Sequence, residues 1–108
     1  MTLHDDDVRM QHMLDYSHEA LELVDGRNRN DLDTDRVLEL ALVRLIEIIG
    51  EAASRVTEKG RKSKLDIPWA QIVSLRNRLI HGYDSVDLDI LWEIVKSDLP
   101  DLISKLES

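Results

Sequence analysis

The sequence predicts an all-α protein, a small up-and-down bundle of four to five helices that forms a homodimer. Apolar residues recur at helical spacing in successive segments, and no segment alternates with the two-residue period of a strand. The longest apolar segment is hydrophobic around most of its circumference, so it needs partners on several sides. At 108 residues the chain is one domain, residues 1–108, with a core large enough to fold.

From Asp5 to Val24, residues Val8, Met10, Met13, Leu14, Ala20, Leu21 and Val24 trace one helix, and Asp5, Asp6 and Asp7 complement the dipole of its first turn. Residues 25–31, DGRNRND, read as a connection broken by Gly26 and two asparagines. A second helix starts near Asp33 or Thr34, either of which can cap it, and runs to Glu58. Its apolar residues, among them Val37, Leu38, Leu40, Leu42, Val43, Leu45, Ile46 and Ile49, occupy more than one stripe, which suggests a dimer seam. Gly50 in mid-helix costs about 1 kcal/mol relative to alanine and implies the close approach of another backbone. Residues 58–68, EKGRKSKLDIP, read as a basic loop. A third helix then opens at Pro68, carries Trp69, Ile72, Val73, Leu75, Leu79 and Ile80 inward, and ends at Gly82. Asp87 caps the last helix, and Pro100 either kinks it or begins a separate terminal one. Trp69 and Trp92 are read as core or seam residues.

Composition narrows the chemistry. The chain contains no cysteine, which rules out disulfides and thiolate metal sites. No apolar run approaches membrane length, and the acidic start lacks a signal core, so a cytoplasmic protein without membrane contact is expected. His4, His12 and His18 lack the i,i+4 spacing of a helical metal pair, and neither a metal site nor a cofactor is expected. The net charge of −8 argues against a polyanionic partner until its distribution is considered. Residues 1–40 carry −7 and residues 82–108 carry −5, whereas residues 41–81 carry +4. An anionic ligand belongs in that middle part, around residues 55–64 or in the segment that follows; on charge alone, a lysine-rich surface loop is the simpler reading of the first of these. Arg44 and Arg55 are expected to pair with Glu47 or Glu51, with a secondary contact to that anionic ligand as the other role.

The segment LRNRLIHGYDSVD, residues 75–87, places Arg76, Asn77, Arg78, His81 and Tyr83 close together. A histidine beside arginines suits phosphodiester chemistry: the imidazole moves a proton at a ribose oxygen, and a guanidinium holds the phosphate. If the nucleophile is the RNA's own 2′-hydroxyl, no metal is needed. A histidine at a helix end also serves simply as a dipole partner, and Tyr83 taken alone reads as a loop residue. On one regular helix Arg76 and His81 would stand about 140° apart. A shared target therefore requires an opened helix end, a second copy of the helix across a two-fold axis, or both.

The order Arg76-x4-His81-x-Tyr83, with polar Asn77 after the arginine, resembles the signature of the HEPN superfamily (higher eukaryotes and prokaryotes nucleotide-binding domains). Within that superfamily the chain resembles HepT toxins, partners of minimal-nucleotidyltransferase (MNT) antitoxins. The likeness spans DDDVRMQHMLD, RLIEIIGEAASRV, DIPWAQIVSLRNRLIHGYDSVD and LWEIVKSDLPDL, nearly the whole chain. It implies a helical homodimer whose two motifs line one cleft, acting as a metal-independent endoribonuclease toxin of a type VII-like system. By motif position it implies Arg76 and His81 as the catalytic pair, with Asn77 and Arg78 as supporting residues. It further implies that the cognate nucleotidyltransferase adds AMP to Tyr83 and so silences the toxin. A non-catalytic helical dimer that binds a nucleotide or a protein partner is the alternative.

Overall fold

The computed structural model describes residues 3–108, with side chains described from Asp5 onward; the side chain of His4 lies outside that range. Helix α1 (Leu3–Val24) buries Met13, Ser17, Ala20 and Val24 along one stripe, as its periodicity requires. Gly26, at φ 74°, turns the chain away from it. After the single turn α2 (Asp31–Thr34) comes the central helix α3 (Arg36–Ser54). Its cap is Asp35, one residue beyond the expected Asp33 or Thr34, because those two are taken up in α2. The Asp35 carboxylate accepts from Leu38 N at 3.0 Å and pairs with Arg27 at 2.8 Å.

Helix α3 buries Leu38, Leu42, Leu45, Ile46, Ile49, Ala52 and Ala53 against α1 on one side and the later helices on the other. Gly50 fulfils its expected role: a Cβ there would stand 3.4 Å from the carbonyl oxygens of Ile72 and Val73, so the segment carrying those residues crosses closely at that point. The chain alone does not cover all of α3, and Val37 and Leu40 remain exposed.

Residues 58–68 are not a plain basic loop. Thr57 caps a short helix, α4 (Glu58–Lys62), by accepting from Gly60 N. Buried Asp6 on α1 in turn accepts from Thr57 N at 2.9 Å and from Thr57 Oγ1 at 2.5 Å. These two bonds, the hydroxyl's foremost, hold the Asp6 carboxyl below its ordinary range. Two of the segment's charges serve the fold: Arg61 donates to Ala53 O and lies over the Trp69 ring, and Lys64 donates to the carbonyls of Lys105, Leu106 and Ser108 at the end of the last helix.

The expected third helix is broken in two, α5 (Trp69–Val73) and α6 (Leu75–Leu79), and it stops before Gly82. Ile80 is already extended and opens a small antiparallel hairpin, β1 (Ile80–Gly82) and β2 (Ser85–Val86). Ile80 pairs with Val86, and Asp87 N donates to Leu79 O at 2.8 Å, so the pairing starts where the helix ends. The hairpin is the only strand pairing among the described residues, and the fold remains all-α. Asp87 caps α7 (Leu88–Glu93) as expected, accepting from Ile90 N at 3.0 Å. A π-turn (Ile94–Asp98) leads into α8 (Leu99–Glu107), where Pro100 occupies the first turn. The wider turn lets Leu99 N reach Ile94 O ahead of a residue that has no N–H to donate.

Gly60→Ala reverses the usual helical preference. Its Cβ would stand 2.5 Å from Asp6 Oδ2 and 2.9 Å from Val56 Cγ1. The substitution is expected to cost about 1–3 kcal/mol, where an unobstructed helical glycine would gain from alanine. Denaturant melts of the two proteins measure this.

Candidate functional site

The motif residues gather around the junction of α6 and the hairpin, but they do not all face one way. Arg76, on α6, is half exposed and directs Nε to Glu47 Oε2 of α3 at 3.2 Å. Arg76 and Tyr83 line the same shallow cleft of about 170 Å³, together with Arg36, Leu40, Val43 and Glu47 of α3. Tyr83 is fully exposed at the hairpin tip.

His81 does not line that cleft. The cleft is lined by Ile80, Tyr83, Asp84 and Val86 of the hairpin, and His81 is not among its walls; the pairing register shifts between Ile80 and Gly82, at His81. Its Nε2 stands 3.2 Å from Asp87 Oδ2, with the imidazole 59% exposed. Asp87 therefore uses one oxygen for the Ile90 cap and the other for the imidazole. The Ile90 N–H foremost, and then the His81 ring, hold the Asp87 carboxyl below its usual range.

Asn77 is exposed beside Arg76. Arg78 points elsewhere: its guanidinium lies 2.5 Å from Asp98 and 3.8 Å from Glu93, tying α6 to the π-turn and α7. Helix α6 thus sends one arginine to the cleft and anchors itself with the other. The break at Ile80 removes the problem of a regular helix holding Arg76 and His81 about 140° apart. It leaves Arg76 lining the cleft and His81 outside it.

Two carboxylates carry roles that the sequence left open. Glu47 was expected to pair with Arg44 or Arg55, but it pairs with Arg76, while Arg55 takes Glu51 at 3.0 Å. Asp87 was read only as a cap. The i,i+6 spacing of His81 and Asp87 across a two-residue turn was the available signal for the second role. Among the described residues, no three His, Asp or Glu side chains converge as metal ligands, and no helix is long and apolar enough to cross a membrane.

The model of the HepT-like family, described as ribonuclease HepT-like, matches residues 13–108. The chain belongs to that family. It is 37% identical over 93 residues to "Probable ribonuclease HepT" of Thermococcus cleftensis, covering 82% of this chain and 84% of that protein. It is 33% identical over 95 residues to "Putative RNase MJ1380" of Methanocaldococcus jannaschii, covering 88% and 87%. A protein of Caldanaerobacter subterraneus, "Putative RNase TTE0752", is 36% identical over 93 residues, covering 86% and 83%. No solved structure matches the chain significantly.

The Asp87 contacts set an acid dependence. Because the folded carboxyl is held below its unfolded value of about 3.9, its contribution to stability is complete above that pH. The contribution is lost as pH falls through the lower folded value. Asp87→Asn keeps an acceptor for Ile90 N but cannot titrate. Its melting temperature should therefore fall less than the parent's between pH 5 and the acid limb, as measured by circular dichroism.

Proposed function

We propose that the protein is a metal-independent endoribonuclease, the toxin of an MNT–HEPN pair, acting as a homodimer with Arg76 and His81 as its catalytic groups. One observation carries the reading: the Arg76–Tyr83 cleft adjoins the uncovered apolar side of α3, while His81 lies outside that cleft. A second copy seated against Val37 and Leu40 covers apolar surface that the chain leaves in water. It can also bring an imidazole from one protomer towards a guanidinium of the other. The names of the relatives support RNA as the substrate.

In this reading the ribose 2′-oxygen attacks the adjacent phosphorus and gives its proton to a neutral His81. The bond from phosphorus to the 5′-oxygen breaks, and the leaving oxygen takes a proton from the protonated imidazole of the second copy. The products are a 2′,3′-cyclic phosphate and a 5′-hydroxyl. Arg76 stabilises the charge that grows on the phosphoryl oxygens, and Glu47 keeps its guanidinium in place until a phosphate competes for it. Asp87 is a positioning residue that holds the imidazole by Nε2 and leaves Nδ1 for the proton. Asn77 supplies a further polar contact, and Arg78 keeps α6 in register through Asp98.

Tyr83 is the proposed off-switch. Its phenol oxygen attacks the α-phosphorus of ATP in the cognate nucleotidyltransferase antitoxin, pyrophosphate leaves, and AMP remains on the tyrosine. The added phosphate stands in the cleft that Arg76 lines, where it repels and blocks an RNA phosphate.

Arg76→Ala and His81→Ala should each lower cleavage of single-stranded RNA by about 10²–10⁴-fold while circular dichroism stays that of the parent. Cleavage should survive EDTA and leave cyclic phosphate ends. Full activity in both variants would overturn the assignment.

Co-expression with the partner nucleotidyltransferase should raise the intact mass of the parent by whole AMP increments. Tyr83→Phe should show none; an unchanged increment in that variant would place the modification elsewhere.

A further inference from the structure

A larger groove, of about 430 Å³, lies between the first half of α1 and the middle of α3. Its apolar floor includes Val8 and Ile48, and its rim carries Arg9, His12, Arg44 and Arg55. In so acidic a chain almost every arginine is engaged. Arg27, Arg29, Arg36, Arg55, Arg76 and Arg78 each have a carboxylate within 4.0 Å. Arg61 is committed to Ala53 O and the Trp69 ring.

Among the described arginines, only Arg9 and Arg44 have neither a side-chain ion pair within 4.0 Å nor a side-chain hydrogen bond, and both line this groove. The acids on its rim are Asp5, Glu47 and Glu51, of which Glu47 already holds Arg76 and Glu51 holds Arg55. Glu47 also borders the Arg76–Tyr83 cleft, so the two depressions meet at one side chain. Arg44 lies three residues from Glu47 on α3, about 4.5 Å along the axis.

We propose that this groove carries the RNA strand beyond the reacting phosphate, with Arg9 and Arg44 each contacting a backbone phosphate. The inference rests on the ribonuclease reading and deepens it. Two arginines that hold no carboxylate within ion-pair distance offer phosphate contacts without first breaking an ion pair, and the apolar floor accepts an unstacked base. The groove offers the strand positive charge in a chain whose net charge is −8.

The test uses His81→Ala protein, so that the RNA stays intact, and follows binding of a fluorescein-labelled single-stranded RNA by anisotropy across a salt series. Adding Arg9→Gln and Arg44→Gln should weaken binding on the order of tenfold near 0.15 M salt and reduce the salt slope by about 1.4. Adding Arg27→Gln and Lys105→Gln removes the same charge away from the groove and should change neither quantity. Equal losses in both double variants, or none in the groove variant, overturn the proposal and leave the ribonuclease reading intact. Dissociation of the dimer in the groove variant, seen by sedimentation, assigns the groove to the protein seam and also overturns it. Parent protein that neither binds nor cleaves RNA overturns the ribonuclease reading itself, and the proposal with it.

Discussion

The girth of apolar surface on α3 is the constraint that shapes the rest of the molecule. A helix that is hydrophobic on most sides cannot be satisfied by one neighbour. The chain returns to it repeatedly, with α1 on one flank and α5, α6 and α7 on the others. Helix α5 crosses α3 at Gly50, with the carbonyl oxygens of Ile72 and Val73 3.4 Å from where a Cβ would stand. The closeness of that crossing, and the break at Ser74, set where α6 begins and which way Arg76 leaves it. The position of the site is therefore a consequence of core packing.

Both principal groups of the site are held by carboxylates of the same chain, and each carboxylate belongs to a structural element. Glu47 sits on α3, and Asp87 is the cap of α7. Exposed ion pairs of this kind contribute little to stability, about 0–1 kcal/mol. Their value here lies in orientation, since a guanidinium and an imidazole without partners would sample many rotamers. Arg78 provides the contrast on the same short helix. Its carboxylates lie on the π-turn and α7, and it braces α6 from behind.

Much of this was legible in the sequence because it is local. The α1 stripe, the breaker at Gly26, the approach at Gly50 and the cap at Asp87 all follow from residues within a few turns of each other. The hairpin was not legible, because strands of three and two residues are too short to display alternation. The basic segment misled for a different reason: the acceptors for Arg61 and Lys64 are backbone carbonyls on α3 and at the end of α8, which carry no sequence signal. The pairs Glu47–Arg76 and Asp6–Thr57 join residues far apart in the chain, so their partners emerge only once the helices are packed. For the candidate site, residue types and order were readable, and the facing of each side chain was not.

The shared carboxylate of Asp87 also bears on how such a protein can change over generations. A substitution there is judged twice, once by the helix it starts and once by the imidazole it faces. Variation that adjusts the histidine must therefore arise around Asp87 instead of through it. Tyr83 and Asp84, at the open tip between the strands, carry no such double duty. Inheritance can rewrite Asp84 more freely than the base of the hairpin or the tyrosine beside it, so the outline of the tip can diverge faster than the chemistry beneath it.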